Sequence, residues 1–248
     1  MPDARPKLTI VPDADALAQK AATRLLARLR EPHERFAVGL TGGSSPEGLY
    51  RLLATEPCRN QIPWERVHWF WGDDRFVPQD DPRSNAGQAR RLFLDHAPVP
   101  AANVHAIPTE AANADEAARR YEGDLRAFYG ADRLDPRRPL FDLVLMGVGN
   151  DGHTASLFPG HPQLDETERW AVGVPHAGMD PFVPRVTLTF PALASTRDML
   201  FLVTGRGKRE IMARLLAGAD LPAPRAHSDG DLVWLIDRDA APVQRDVA

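Results

Sequence analysis

Residues 141–160 read FDLVLMGVGNDGHTASLFPG, and the fold turns on how the first eight are taken. The run 141–148 is too short for a typical helix and too continuously apolar for a half-exposed strand, so it reads as a parallel strand buried on both faces. Such strands present ligands at their carboxyl ends. This one breaks into a glycine-rich turn that delivers Asp151 and His153 two positions apart. If the backbone there stays extended, both side chains leave on one side, as suits a carboxylate orienting an imidazole.

Working outward, strands are expected at 7–11, 35–40, 67–71, 170–174, 185–190, 199–204 and 232–236, with a short one at 104–107. Between them lie helical patterns. Asp13 caps a helix with Leu17, Ala21, Leu25 and Leu29 inward and Lys20, Arg24 and Arg28 on its solvent face. Further helices are expected over 47–54, from a Ser84 cap through 94, over 112–129, and over 208–217, where Gly218 stops the last. Residues 131–139 and 221–231 read as loops and the end of the chain as a polar tail. Strands alternating with helices predict a single α/β domain over 1–248, Rossmann-like and doubly wound, its mostly parallel sheet covered by helices on both faces.

The composition is 43% hydrophobic and 26% charged, with a net charge of −4. That is ordinary for a globular protein and shows no basic face for nucleic acid. Cys58 is the single cysteine, which excludes an internal disulfide and any multi-cysteine metal site and fits a reducing, cytoplasmic compartment. No stretch has the length of a signal peptide's apolar region or of a membrane span, so neither export nor a membrane role is expected.

Four expected strands end in polar turns with glycine, at 41–45, 72–75, 147–153 and 205–208. In a parallel sheet these turns share one edge and line one cleft. Gly42, Gly43 and Ser44 before a helix start offer N–H and hydroxyl groups to a phosphate, with Ser45 adjacent. Lys208 stands where a cation opposes the helix dipole, a penalty that a bound anion reverses, although spacing alone favours a solvated lysine on an exposed turn. Arg75 follows Asp73 and Asp74, and either clamps a phosphate or pairs with those aspartates. Arg185, heading its strand, is open to the same two readings. His33, His68 and His161 suggest no carboxylate-rich site, so no metal and no cofactor is expected. Residues 147–152 satisfy G-x-G-x-x-G. A dinucleotide site also needs a long helix from the third glycine and an acidic residue about twenty positions on, whereas Pro159, Gly160 and Pro162 break any such helix.

Several motifs in order then carry a resemblance: LTGGSSP at 40–46, DDRFVP at 73–78 with Ser84 and Asn85, GNDGHTASLFPG at 149–160, RVTLTFPAL at 185–193 and GKRE at 207–210. Over nearly its whole length the chain resembles the 6-phosphogluconolactonases, of the superfamily shared with glucosamine-6-phosphate deaminase. The deaminase branch carries an Asn-Glu-Pro element after its Gly-His pair, where this chain has Thr154-Ala155-Ser156-Leu157-Phe158-Pro159. Asp74 stands where the family commonly has Glu, a similar exchange applies at Asn150, and Ser45 replaces Thr. The resemblance implies hydrolysis of 6-phospho-D-glucono-1,5-lactone, with His153 and Asp151 catalytic and Gly42, Gly43, Ser44, Asp73, Arg75, Arg185 and Lys208 binding a phosphorylated sugar lactone; the sequence leaves the oligomeric state open, with a monomer the first expectation. The alternatives are a glucosamine-6-phosphate deaminase or isomerase using Asp73 and His153, a sugar-phosphate sensor, and a nicotinamide-dependent oxidoreductase. Turn N–H groups near Gly149 are candidates for the oxyanion donors, and residues 221–231 receive no role.

Overall fold

A computed structural model describes residues 7–32 and 34–242; His33 and the tail at 243–248 lie outside the described residues. The apolar run becomes β5 (Leu143–Met146), buried along its whole length. It lies between β2 (Phe36–Leu40) and β8 (Asp198–Val203), parallel to both, with Val38 opposite Leu143 and Val144 opposite Met199. β3 (Val67–Trp71) extends the sheet beyond β2, while β9 (Asp231–Asp237) and β1 (Lys7–Val11) extend it beyond β8. All six strands are parallel. Runs such as FAVGL in β2 and DMLFLV in β8 are buried throughout, as strands enclosed on both faces require.

Three expectations about strands change. The runs at 171–174 and 185–188 do not join the parallel sheet. They form β6 (Ala171–Val174) and β7 (Arg185–Leu188), antiparallel to each other, and β7 pairs in turn with β4 (Asp73–Arg75), a segment expected to be only a turn. Gly72 makes the passage between sheets: its N–H donates to Leu40 O and its carbonyl accepts from Leu188 N–H, both at 2.8 Å. Residues 104–107 contribute a single bridge, Val104 beside Trp69.

The helices follow their caps. α1 (Ala14–Leu29) begins where Asp13 accepts from Ala16 N–H, and α2 spans Glu47–Leu53. α3 (Asn85–Leu92) is capped by Ser84 through Gly87 N–H. α4 (Ala114–Tyr129) starts two residues later than expected because Asn113 caps it, accepting from Glu116 N–H at 2.9 Å. α5 (Phe190–Ala194) shortens the strand expected to reach 190. α6 (Arg209–Leu216) follows a 3₁₀ turn at Arg206–Lys208, and a short α7 (Pro222–Arg225) occupies what was expected to be loop. Arg24 and Arg28 do not point to open solvent; both reach the fully buried Asp198. No described helix is long and apolar enough to cross a membrane.

At the edge strand β3, His68 Nδ1 lies 3.0 Å from His105 Nε2, and His105 stacks on Phe70 with ring centroids 4.2 Å apart. Burial lowers both imidazoles, His105 down to about 4, with the Arg35 charge adding to the effect on His68 and the His68 charge adding to that on His105. A depressed histidine supports the fold above its unfolded pKa of about 6.5, and that support is lost as pH falls through the folded value. Melting temperature should therefore drop between about pH 6.5 and 4. His105→Phe, which keeps the stack, should flatten that drop in a melting series across this range; an unaltered slope would assign the acid sensitivity elsewhere.

Candidate active site

The carboxyl ends of β2, β3, β5 and β8 surround one cleft of about 210 Å³, lined by groups from all four turns singled out in the sequence. After β5 the chain turns sharply. Gly149 N–H donates to His153 O at 2.8 Å, Gly152 N–H donates to Gly149 O at 3.0 Å, and the Thr154 hydroxyl donates to Gly147 O at 2.8 Å. Gly149 N–H is thus committed within the turn and is not free to hold an oxyanion. No helix follows, and the next regular element is a 3₁₀ turn at Pro162–Asp165, so the G-x-G-x-x-G spacing lacks the helix on which a pyrophosphate would rest.

The turn presses Asp151 and His153 together, Asp151 Oδ1 lying 2.6 Å from His153 Nδ1. Gly149 makes room for them: a Cβ there would fall 2.0 Å from His153 Nδ1 and 2.6 Å from Asp151 Oδ1. Burial alone would raise the Asp151 carboxyl, but the bond to His153 and the charge beside it hold it below the ordinary carboxylate value. An ionised Asp151 accepts from Nδ1–H and leaves the lone pair on Nε2. Phe158 backs the imidazole, its ring centroid 4.6 Å away.

Three cations face the same cleft. Arg185 is 4% exposed and spends its donors on backbone, Nε on Val183 O and Nη2 on Pro181 O. Burial lowers its pKa, with Asp73 acting the other way. Lys208 donates to Asn150 Oδ1 at 2.9 Å; burial lowers its ammonium and Asp151 opposes the shift. Arg75 does not pair with Asp73 or Asp74. Its Nη1 donates to Arg83 O at 2.6 Å, and its buried Nε has no partner. Among the described residues none of the three is ion-paired, although a buried cation is costly without a counter-charge.

Asp73 and Asp74 are otherwise employed. Asp73 Oδ2 accepts from the Ser156 hydroxyl at 2.6 Å, and its other oxygen is 3.4 Å from Asn85 Nδ2. Asp74 anchors the start of α3 by accepting from Asn85 N–H, Ala86 N–H and Ser84 Oγ. Burial pushes Asp74 up to about 6, against the pull of those backbone donors and with the Asp73 charge adding to it. Asn85, to which the sequence reading gave no role, lines the cleft between Asp73 and Gly42. A Cβ on Gly42 would come within 1.9 Å of Asn85 Oδ1. Gly42 and Gly43 line the cleft. Ser44 is exposed and off its lining, and Ser45 is occupied by Thr204 at 3.0 Å. Residues 221–231 brace the turn, for Ala223 N–H donates to Gly152 O at 3.0 Å.

A family model for glucosamine-6-phosphate isomerases and 6-phosphogluconolactonase matches residues 12–234. The chain belongs to this family. It is 38% identical over 244 residues to the 6-phosphogluconolactonase of Mycobacterium tuberculosis, covering 94% of this chain and 96% of that one. It is 36% identical over 243 residues to that of Synechocystis, covering 95% and 97%. Among solved structures, 6-phosphogluconolactonase from Thermotoga maritima superposes with a TM-score of 0.80 at 30% identity, over 94% of this chain and all of that one. A monomeric glucosamine-6-phosphate deaminase shares the fold, with a TM-score of 0.79 at 23% identity.

Proposed function

We propose that this family member hydrolyses 6-phospho-D-glucono-1,5-lactone to 6-phosphogluconate, a step of the oxidative pentose phosphate pathway. The carrying observation is the 2.6 Å Asp151–His153 pair set in one cleft with three cations that have no ion pair among the described residues. Lys208, Arg185 and Arg75 take the phosphate and hold the lactone so that C1 faces Nε2. His153 removes a proton from water as the water oxygen bonds to C1, and the carbonyl electrons move onto oxygen. When the tetrahedral intermediate collapses, the bond from C1 to the ring oxygen breaks and the imidazolium returns its proton to that oxygen. Asp151 steadies the imidazolium between the two transfers. On this reading the enzyme acts in the cytoplasm as a single-domain monomer, without metal or cofactor.

An assay on freshly generated lactone, corrected for spontaneous hydrolysis, tests the proposal; a rate no higher than background would end it. Lys208→Ala should raise KM about 10- to 100-fold with a smaller change in kcat, the loss of one charge-assisted bond to phosphate. An unchanged KM in steady-state kinetics would remove Lys208 from the phosphate site. Because Asp73 shares the cleft, isomerisation with deamination of glucosamine-6-phosphate is the competing reading, and ammonia release from that substrate decides between them.

A further inference from the structure

Behind Arg75 lies a second cavity, of about 250 Å³, separated from the lactone cleft by the Gly43, Arg75 and Asn85 side of the wall. Its lining gathers four arginines, Arg51, Arg75, Arg83 and Arg91, against one carboxylate, Glu47. Glu47 is already spent, holding Arg51 at 2.8 Å and accepting from Gln88 Nε2 at 3.2 Å. Arg83 is paired with Asp81 at 2.6 Å, whose carboxyl this bond holds down at about 2. The guanidinium of Arg91 has no hydrogen-bond or ion-pair partner among the described residues, and lies over the first turn of α3 within 3.0 Å of where a Gly87 Cβ would stand. The partnerless Nε of Arg75 is buried in the shared wall.

We infer that this cavity is a second anion site, distinct from the lactone cleft, for a small phosphorylated or diphosphate anion. Like charges gathered on one concave surface repel one another, and the field they focus favours a multiply charged counter-ion. Guanidinium forks suit phosphate oxygens, which accept two parallel N–H bonds from each. Arg91 and Arg51 supply such forks from α3 and α2, while Arg75 links the site to the cleft wall. The lactone cleft ends instead in Lys208 and Arg185, neither of which lines this cavity. The two sites therefore share Arg75 and differ in their other cations.

The inference rests on the proposed function only for the ligand that fills the cleft during its test. Inorganic pyrophosphate is titrated calorimetrically into the protein saturated with 6-phosphogluconate. Binding should persist, weaken as ionic strength rises, and fall at least tenfold in Arg91→Ala, with lactone KM unchanged in that variant. Arg91 is exposed, so the substitution should leave the melting temperature intact, and Arg91→Lys should retain part of the affinity. Absence of pyrophosphate binding to the saturated protein, or binding that Arg91→Ala leaves unaltered, overturns the site. Should 6-phosphogluconate itself fail to bind, the reading of the cleft falls; the titration is then run without it and judged by the same Arg91 dependence.

Discussion

His153→Ala should lower kcat for lactone hydrolysis by about 10²- to 10⁴-fold, the range that a positioned general acid and base supplies, while 6-phosphogluconate binds nearly as before. The imidazole is bonded at 2.6 Å to a carboxylate whose pKa that bond and the charge beside it hold below the ordinary value. On the proposed reading substrate affinity comes from other elements, Lys208 before α6 and Arg185 on β7, so removing the ring should leave the anion contacts standing. Asp151→Asn sharpens the test. An amide can offer its NH₂ to Nδ1, which moves the ring proton to Nε2 and removes the lone pair that accepts from water. Its kcat should fall with little change in KM. Near-normal turnover in His153→Ala, measured against spontaneous hydrolysis, would refute the role assigned to the ring.

The largest effect on stability is expected far from the cleft. Asp198 is fully buried at the start of β8 and accepts from Arg24 Nε at 2.6 Å, Arg24 Nη2 at 2.9 Å and Arg28 Nε at 3.1 Å. Asp198→Ala leaves two guanidiniums facing a buried strand end. Breaking a buried pair costs about 3–5 kcal/mol, and the lower end applies because both arginines keep some contact with water and with Asp231. In a chain of this length about 3 kcal/mol corresponds to a fall of roughly 6–12 °C in melting temperature. Calorimetry would show it, and a shift under about 2 °C would mean that the arginines find equivalent partners. Lactonase kinetics at low temperature should be unaltered.

Where the sequence was legible, the signal was local. The central strand announced itself by continuous apolarity, and the turn after it by glycines and by an acid and a base at a spacing of two. Caps such as Asp13 and Ser84 marked helix starts because a side chain and an N–H three residues on suffice to make them. What could not be read was pairing at long range. The alternation of Val186 and Leu188 against Thr187 showed a strand without naming Asp73–Arg75 as its neighbour, and nothing near Arg24 in sequence pointed to Asp198. The aspartates beside Arg75 left an ion pair as open as a phosphate clamp, and the fold sends that guanidinium to Arg83 O and turns Asp74 onto the backbone of α3. Asn85, quoted only as part of a motif, was given no role for a related reason: its place beside Gly42 exists only once Asp74 has anchored the helix.

The placement of β1 bears on how the protein is made. It is an edge strand whose sole strand partner among the described residues is β9, with Lys7 facing Val233 and Val11 facing Asp237. A ribosome releases β1 before the other described strands and β9 after them, so β1 lacks its strand partner until β9 has been made. Joining them closes a loop that spans almost the whole chain, a long-range contact of the sort that slows folding. The turn bearing His153 waits as well, since its brace at Ala223 is made only after it. The nascent chain therefore keeps an unsatisfied sheet edge at β8 until β9 arrives, and β1 finds its place in the sheet only then.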